Sequence, residues 1–318
     1  MSTVVIPALD STMGATFVGV LVGAMLYGVS CLQTWHYYRE YSHDAFSIKL
    51  LVGAVWVCDT VHQILISHTM YTYVITNFAN PAILGELVWS LIVEVLFNGF
   101  TAVLVQCFFT LRIYRLSNKN VPITAVVLLL VIGQFGVTVA YASKAIHMTT
   151  FAQLATLKGL SMSVNALTAA SDVSIAVALC SMLHRSRTGF RASDSMINKL
   201  ILFTMNTGLL TSLDAICSLA SIAASPNTFI YICFFFTLGR LYSNSLLATL
   251  NARKAIRNGA SSNEDTISLQ GIPRTAAFDS STKSPGNLSI KIDTTHEYSR
   301  DNEYGSALET KKTSTASL

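Results

Sequence analysis

The side chains in this sequence that are able to do chemistry are polar or ionisable residues set inside long apolar runs. Arg240 lies in FFTLGRLYSNSLLATL, and other runs carry Asp59 and His62, Glu94 and Asn98, Gln134, Asn165 and Asp172, Asn206 and Asp214, and Asn244. A charge surrounded by hydrocarbon is costly unless it is paired, hydrated or able to reach an interface. The planar fork of an arginine holds two carboxylates at once, so Arg240 with two or three of these acids makes a buried charge cluster. Four acids, Asp59, Glu94, Asp172 and Asp214, exceed what one arginine neutralises, which leaves at least one protonated, hydrated or bound to a cation. Two kinds of chemistry follow from the same residues. One is a ligand, ion or proton site at the centre of a helix bundle; the other is a structural polar network that holds helices in register.

Depth along the runs groups these residues further. At 1.5 Å per residue, Asp59, Asp172 and Arg240 lie about 15 Å from the basic ends of their runs, and Asp214 about 20 Å. They form a polar layer, with Asn244 close by, whereas Glu94 falls nearer the opposite surface and outside it. His62 follows Asp59 by three positions and shares its helix face, so the two serve as a hydrogen-bonded pair or as a proton relay.

Other chemistries are excluded. His36, His43, His68, His147 and His184 fall at the ends of runs or between them, and only His62 is embedded, so no intramembrane metal centre follows. No G-x-S-x-G and no P-loop pattern occurs. The last apolar run, 228–250, contains no lysine, which excludes a retinal Schiff base there. The six cysteines, Cys31, Cys58, Cys107, Cys180, Cys217 and Cys233, show no short-spaced pair and read as small buried apolar residues. No basic face is interleaved with aromatics, so nucleic acid is not a partner. The chain is expected to be no enzyme and to hold no cofactor or metal.

The elements that position these residues follow from composition. A chain that is 52% hydrophobic and 12% charged lies far from soluble usage, where charged residues make up about 25%. Seven runs, near 13–35, 50–72, 87–111, 121–142, 159–183, 200–223 and 228–250, reach the length of about 20 residues that a membrane-crossing helix needs. Pro81 marks the loop before the third run, and Ser225-Pro226-Asn227 makes a turn before the seventh. The N-terminus has no basic region ahead of its first run, so that run is retained as a span. Gly19 and Gly23 have the spacing that lets two helices approach closely, and Gly208 is a point where the sixth run loosens.

Basic residues set the orientation, because they resist translocation. Alternate connections hold Arg39 and Lys49; Arg112, Arg115 and Lys119; Arg185, Arg187, Arg191 and Lys199; and Arg253, Lys254 and Arg257, against Lys144 and Lys158 on the opposite side. Twelve to two places the N-terminus outside and the C-terminus in the cytosol. The fold expected is therefore an all-α polytopic integral membrane protein, a seven-transmembrane-helix bundle over 13–252. A short outer segment, 1–12, precedes it, and a basic exit with a Ser/Thr-rich tail, 253–318, follows. From 258 onward too few apolar residues occur to offset ordering entropy, so the tail is expected to be disordered and a target for phosphorylation.

Two resemblances bear on function. Seven helices with this orientation resemble G-protein-coupled receptors, and Leu111-Arg112-Ile113-Tyr114-Arg115 ends the third run where those receptors place an arginine motif. The seventh run lacks NPxxY, the sixth lacks CWxP, and no outer cysteine pair occurs, so that resemblance is one of topology. A second resemblance covers most of the membrane part. The stretch LVGAMLYGVSCLQTWHYYREYSHDAFSIKLLVGAVWVCDTVHQIL, with Gly28, Gln33, Tyr37, Asp44, Lys49, Asp59 and His62, is similar to fungal, chiefly basidiomycete, membrane proteins grouped under domain of unknown function 6534. HRSRTGFRASDSMINKLILFTMNTGLLTS and LYSNSLLATLNAR resemble the same group. It implies a multi-span membrane protein and no catalytic residue.

The function expected is receptor-like or sensory, with the polar layer as a ligand site and the basic cytosolic face and tail meeting a signalling partner. A small-molecule or proton-coupled transporter and a structural membrane protein without a ligand are the alternatives. The lipid bilayer is the certain partner, and no oligomeric state is specified. A multi-pass location is expected, with the plasma membrane favoured over endomembranes, since the closing Thr-Ala-Ser-Leu is no retrieval signal.

Overall fold

The computed structural model describes residues 10–78, 80–185, 191–224 and 228–268, with backbone alone for most of 191–207 and for 255–268. Seven long helices dominate: α1 Ala15–Glu40, α2 Phe46–Tyr71, α3 Trp89–Leu116, α4 Val121–Ala145, α6 Lys158–Arg185, α7 Arg191–Ala224 and α8 Ile230–Ser268, with a single turn, α5 Phe151–Leu154, before α6. Among the described residues there is no strand, only an isolated bridge between Glu86 and Thr150. Six helical segments are long and apolar enough to cross a membrane: Thr12–Glu40, Phe46–Thr76, Trp89–Leu116, Val121–Ala145, Phe151–Arg185 and Ile230–Lys254. In α7 the described apolar stretch is shorter, Gly208–Ala224.

Local chemistry sets the ends. Pro122 sits in the first turn of α4, where its missing N–H has no intrahelical partner to lose. Asn118 and Lys119 adopt φ of 54° and 65°, the left-handed reversal that turns α3 into α4. Pro81 opens a short 3-10 turn, Pro81–Gly85, capped by the Asn80 side chain accepting from the Ala82 amide. The Ser225-Pro226-Asn227 turn lies outside the described residues.

The long helices close into a ring in which each packs on its neighbour and α8 returns to α1, while α3 also touches α6 and α8. Met13, Met70, Tyr73 and Val88 cluster with Phe151 and Phe229, which gathers the start of α1, the end of α2 and the starts of α3 and α8 at one face. At the other face the Tyr41 hydroxyl donates to the Asn251 carbonyl at 2.8 Å, joining the end of α1 to α8. Helices therefore alternate in direction. The first of these is here called the N-terminal face.

Polarity runs inside out. Leu32, Met25 and Trp35 of α1 and Leu129, Val126 and Ile132 of α4 are exposed on the rim, whereas Thr34, Asn98, Thr101, Gln106, Gln134 and Thr168 are buried. Such a surface is stable only against hydrocarbon, where backbone groups are satisfied within each helix. The interior helices are α3 and α8, with 50% and 61% of their most apolar stretches buried against 22% in α1 and α4. Close approach relies on small residues. A Cβ on Gly19 would lie 2.8 Å from the Cys233 Cα, so α1 and α8 touch backbone to backbone there. At Gly208 α7 continues without interruption and presses on Ala176 of α6, in place of the loosened helix expected.

The far face is clamped. Arg253 donates to Asp44 at 2.5 Å, Tyr37 donates to the same carboxylate oxygen at 3.0 Å, and Lys254 reaches Glu40 at 3.0 Å. The Tyr41 ring lies 4.6 Å beneath the Arg253 guanidinium. The basic exit thus ties α8 to the α1–α2 corner in addition to marking sidedness. Beyond it the helix runs on to Ser268, so 258–268 is helical where disorder was expected. The remainder of the tail, 269–318, lies outside the described residues.

Two outcomes are expected. Gly19→Val forces α1 away from α8 and destabilises the bundle by about 1–3 kcal/mol, read as a lower unfolding temperature in detergent. Burial pushes the Asp44 carboxyl up, but Arg253 and Tyr37 outweigh it and hold the group below the usual carboxylate range. The clamp is then at full strength above about pH 4 and is lost as pH falls through that lower value. Protection of the amides near 250–254, taken relative to their intrinsic exchange rates at each pH, should fall on acidification, and Asp44→Asn should lower it at every pH.

Candidate functional site

The site begins at Arg240, which has no exposed surface. On α2, Asp59, His62 and Gln63 turn toward α8 and surround its guanidinium. One terminal nitrogen donates to the Asp59 carboxylate and, at 2.6 Å, to the Asp59 backbone carbonyl. The other meets His62 Nδ1 at 2.9 Å and Gln63 Oε1 at 3.0 Å. The ring of Tyr27, from α1, lies 5.4 Å from the guanidinium carbon. On the far side of the imidazole, His62 Nε2 lies 2.8 Å from Glu94 Oε2 on α3. A continuous chain of polar groups thus runs Asp59, Arg240, His62, Glu94 through α2, α8 and α3.

That chain fixes a proton. Arginine nitrogens only donate, so His62 Nδ1 must accept and the imidazole proton sits on Nε2, the nitrogen near Glu94, although the angle there is not that of a hydrogen bond. His62 is thereby neutral, and Asp59 balances Arg240. Glu94, when ionised, is the acid this network does not neutralise.

Depth alone excluded Glu94, and the structure corrects this. His62 lies nine residues from the end of α2 and Glu94 five from the start of α3. The difference of about 6 Å along the axis is within the combined reach of the two side chains.

The other expected members are placed elsewhere. Asp172 does not touch Arg240; it accepts from the Tyr242 hydroxyl at 2.7 Å and from Gln106 Nε2 at 3.0 Å, between α6, α8 and α3. Asp214 accepts from the Thr237 hydroxyl at 2.9 Å between α7 and α8, and among the described residues no ion pair joins it to Arg240. Asn244 donates to the Leu26 carbonyl at 3.0 Å and to the Arg240 carbonyl at 2.9 Å, bracing α8 against α1. Of the expected basic face, Arg115 and Arg185 are exposed and Arg112 is half-buried. Arg253 and Lys254 belong to the clamp. The side chains of Arg191 and Arg257, and all of Arg187, lie outside what is described.

Sequence reasoning missed Gln63, Gln106, Tyr242, Thr237 and Tyr27. Gln63 and Gln106 are amides in apolar runs, the same signal that picked out Gln134. Tyr and Thr occur throughout such runs and carry no comparable mark.

A cleft adjoins the chain. It has a volume of about 50 Å³ and is lined by Leu91, Ile92, Glu94, Tyr141, Asn165, Tyr231 and Phe235. A wider space of about 370 Å³ shares Tyr141, Ser161 and Tyr231 with it and extends past Phe151, Lys158 and Phe229 to the N-terminal face. Glu94 stands in the wall of the inner cleft and in the polar chain at once. Among the described residues no three His, Cys, Asp or Glu side chains converge as a metal site would require.

Residues 168–255 match the model of a family of unknown function, DUF6534. The DUF6534 region covers most of α6, all of α7 and α8 as far as the clamp. It contains Asp172, Asp214, Arg240 and Asn244, while Asp59, His62 and Glu94 come from helices before it. No curated protein and no solved structure matches the chain.

The Arg240–Asp59 pair can be measured directly. Arg240→Ala leaves Asp59 buried without a counter-charge and is expected to cost about 3–5 kcal/mol. Arg240→Met combined with Asp59→Asn should recover much of that loss in thermal unfolding, because neither partner is then stranded. Additive losses in the cycle would rule the pairing out.

Proposed function

We propose that this chain is a seven-span, receptor-like membrane protein that binds a small, largely apolar ligand in the cleft ending on Glu94. The observation that carries the reading is the double position of Glu94. A ligand group that contacts it acts on His62 and Arg240, and through Arg240 on the pairing of α2 with α8. A change at the cleft is thereby coupled to the helix that leaves the bundle through the Arg253–Asp44 clamp.

Several features support this over a carrier. The cleft reaches the N-terminal face, which the excess of basic residues opposite assigns to the outside. Toward the other face Tyr37, Val52, Val55, Ile113, Leu246 and Leu250 pack into one apolar cluster among the described residues. Alternating access needs a site reachable from both sides. The seventh span in this reading is α7, whose apolar stretch Gly208–Ala224 packs between α6 and α8. The exposed Arg115 and Arg185, with the loops and tail, form the surface for a cytosolic signalling partner. The resemblance of the longer segments to fungal membrane proteins supports a fungal member of that group, and the plasma membrane suits an outward cleft.

A screen of small amines and apolar compounds by thermal shift on the purified protein tests the reading. Ligands should raise the unfolding temperature of the wild type, fail on Tyr231→Trp, which fills the cleft, and bind at least about tenfold more weakly to Glu94→Gln, a loss of about 1.4 kcal/mol. Saturable uptake of such ligands into proteoliposomes would instead establish a transporter.

A further inference from the structure

We infer that Asp172 is the anionic ligand of a monovalent-cation site in the half of the bundle away from the cleft. Asp172 is buried, and its two carboxylate oxygens accept from Tyr242 Oη at 2.7 Å and Gln106 Nε2 at 3.0 Å. Gln106 Nε2 also donates to Tyr242 Oη at 3.3 Å, which directs the single tyrosine proton at the acid. Thr211 is a further hydrogen-bond partner of the same carboxylate. All of these donors are aimed at an ionised group.

No cation answers that charge. Among the described residues no Lys, Arg or His lies within ion-pair distance of Asp172, and the neighbouring stretch of α7, 200–207, contains none in its sequence. Arg240 is two residues from Tyr242, so about 200° around α8, and is held by Asp59, His62 and Gln63. An ionised carboxylate held in the interior by dipoles alone is costly.

The surroundings supply what a cation needs. A small cavity of about 30 Å³, room for one water-sized ion, is lined by Gln106, Asp172, Gly208, Thr211, Tyr242 and Ser245. Gln106 is 1% exposed, and its Oε1 is a buried acceptor with no hydrogen-bond partner. Carboxylate, amide and hydroxyl oxygens are the donor set of hard cations. A single carboxylate matches a single positive charge, whereas calcium and magnesium sites draw on more oxygen charge or on bound phosphate.

The test compares thermal unfolding of the purified full chain in sodium, potassium, lithium and choline chloride at constant ionic strength. At least one of the small cations should raise the unfolding temperature saturably over choline, as a ligand of the native state does. Asp172→Asn should remove the dependence, and Glu94→Gln should leave it unchanged, which separates this site from the cleft. Should Asp172→Asn not fold, Thr211→Val and Ser245→Ala serve instead, each raising the half-saturating concentration by about tenfold. Equal stability in all four salts, a dependence that survives in these variants, or stabilisation by acid alone overturns the proposal.

Discussion

Everything in this bundle is arranged around a guanidinium that has no route to water. Arg240 cannot lose its charge as a lysine could, and the donors on both of its terminal nitrogens are met where they lie, while Nε has no hydrogen-bond partner. Asp59 supplies a carboxylate and a backbone carbonyl, His62 and Gln63 supply one acceptor each, and Tyr27 offers its ring face. Three of these residues occupy one and a half turns of α2, which fixes the rotation of that helix against α8. The requirement also selects a tautomer of His62, and so decides which atom faces Glu94.

The fold was readable because its signals are additive. Runs of apolar residues near 50–72, 87–111 and 121–142 correspond to α2, α3 and α4, and the residues that break the pattern, such as Pro81 and Asn118, stand at the turns. The ends were less readable. Once started, a helix continues past the apolar stretch as long as no residue stops it, and so α8 passes Arg253 and Lys254 instead of ending there. Those two residues pair with acids from the α1–α2 corner, Asp44 and Glu40, that no periodicity could have matched to them.

The candidate site was readable in depth and not in azimuth. Counting 1.5 Å per residue puts Asp59, Asp172 and Arg240 at one level, but two residues along α8 turn the view through about 200°. Arg240 and Tyr242 therefore address different halves of the ring, and Asp172 goes with Tyr242. Which helix lies on which side follows from ring closure of α1 on α8 and from the central place of α3, neither of which is encoded by any single run. Glu94 was lost for the complementary reason, since side chains of its length and that of His62 bridge a level that backbone counting keeps apart.

The same helix thus separates two acids that differ in kind. Asp59 meets a full positive charge and closes an ion pair, while Asp172 meets hydroxyls and an amide. Near 4 Å the attraction of unit charges at an effective dielectric of about 20 is about 4 kcal/mol, a strength that neutral dipoles approach only in concert. The first acid is consequently a fixed part of the scaffold. The second is held by an amide and a phenol, and if it is ionised its charge has no ion-pair partner among the described residues.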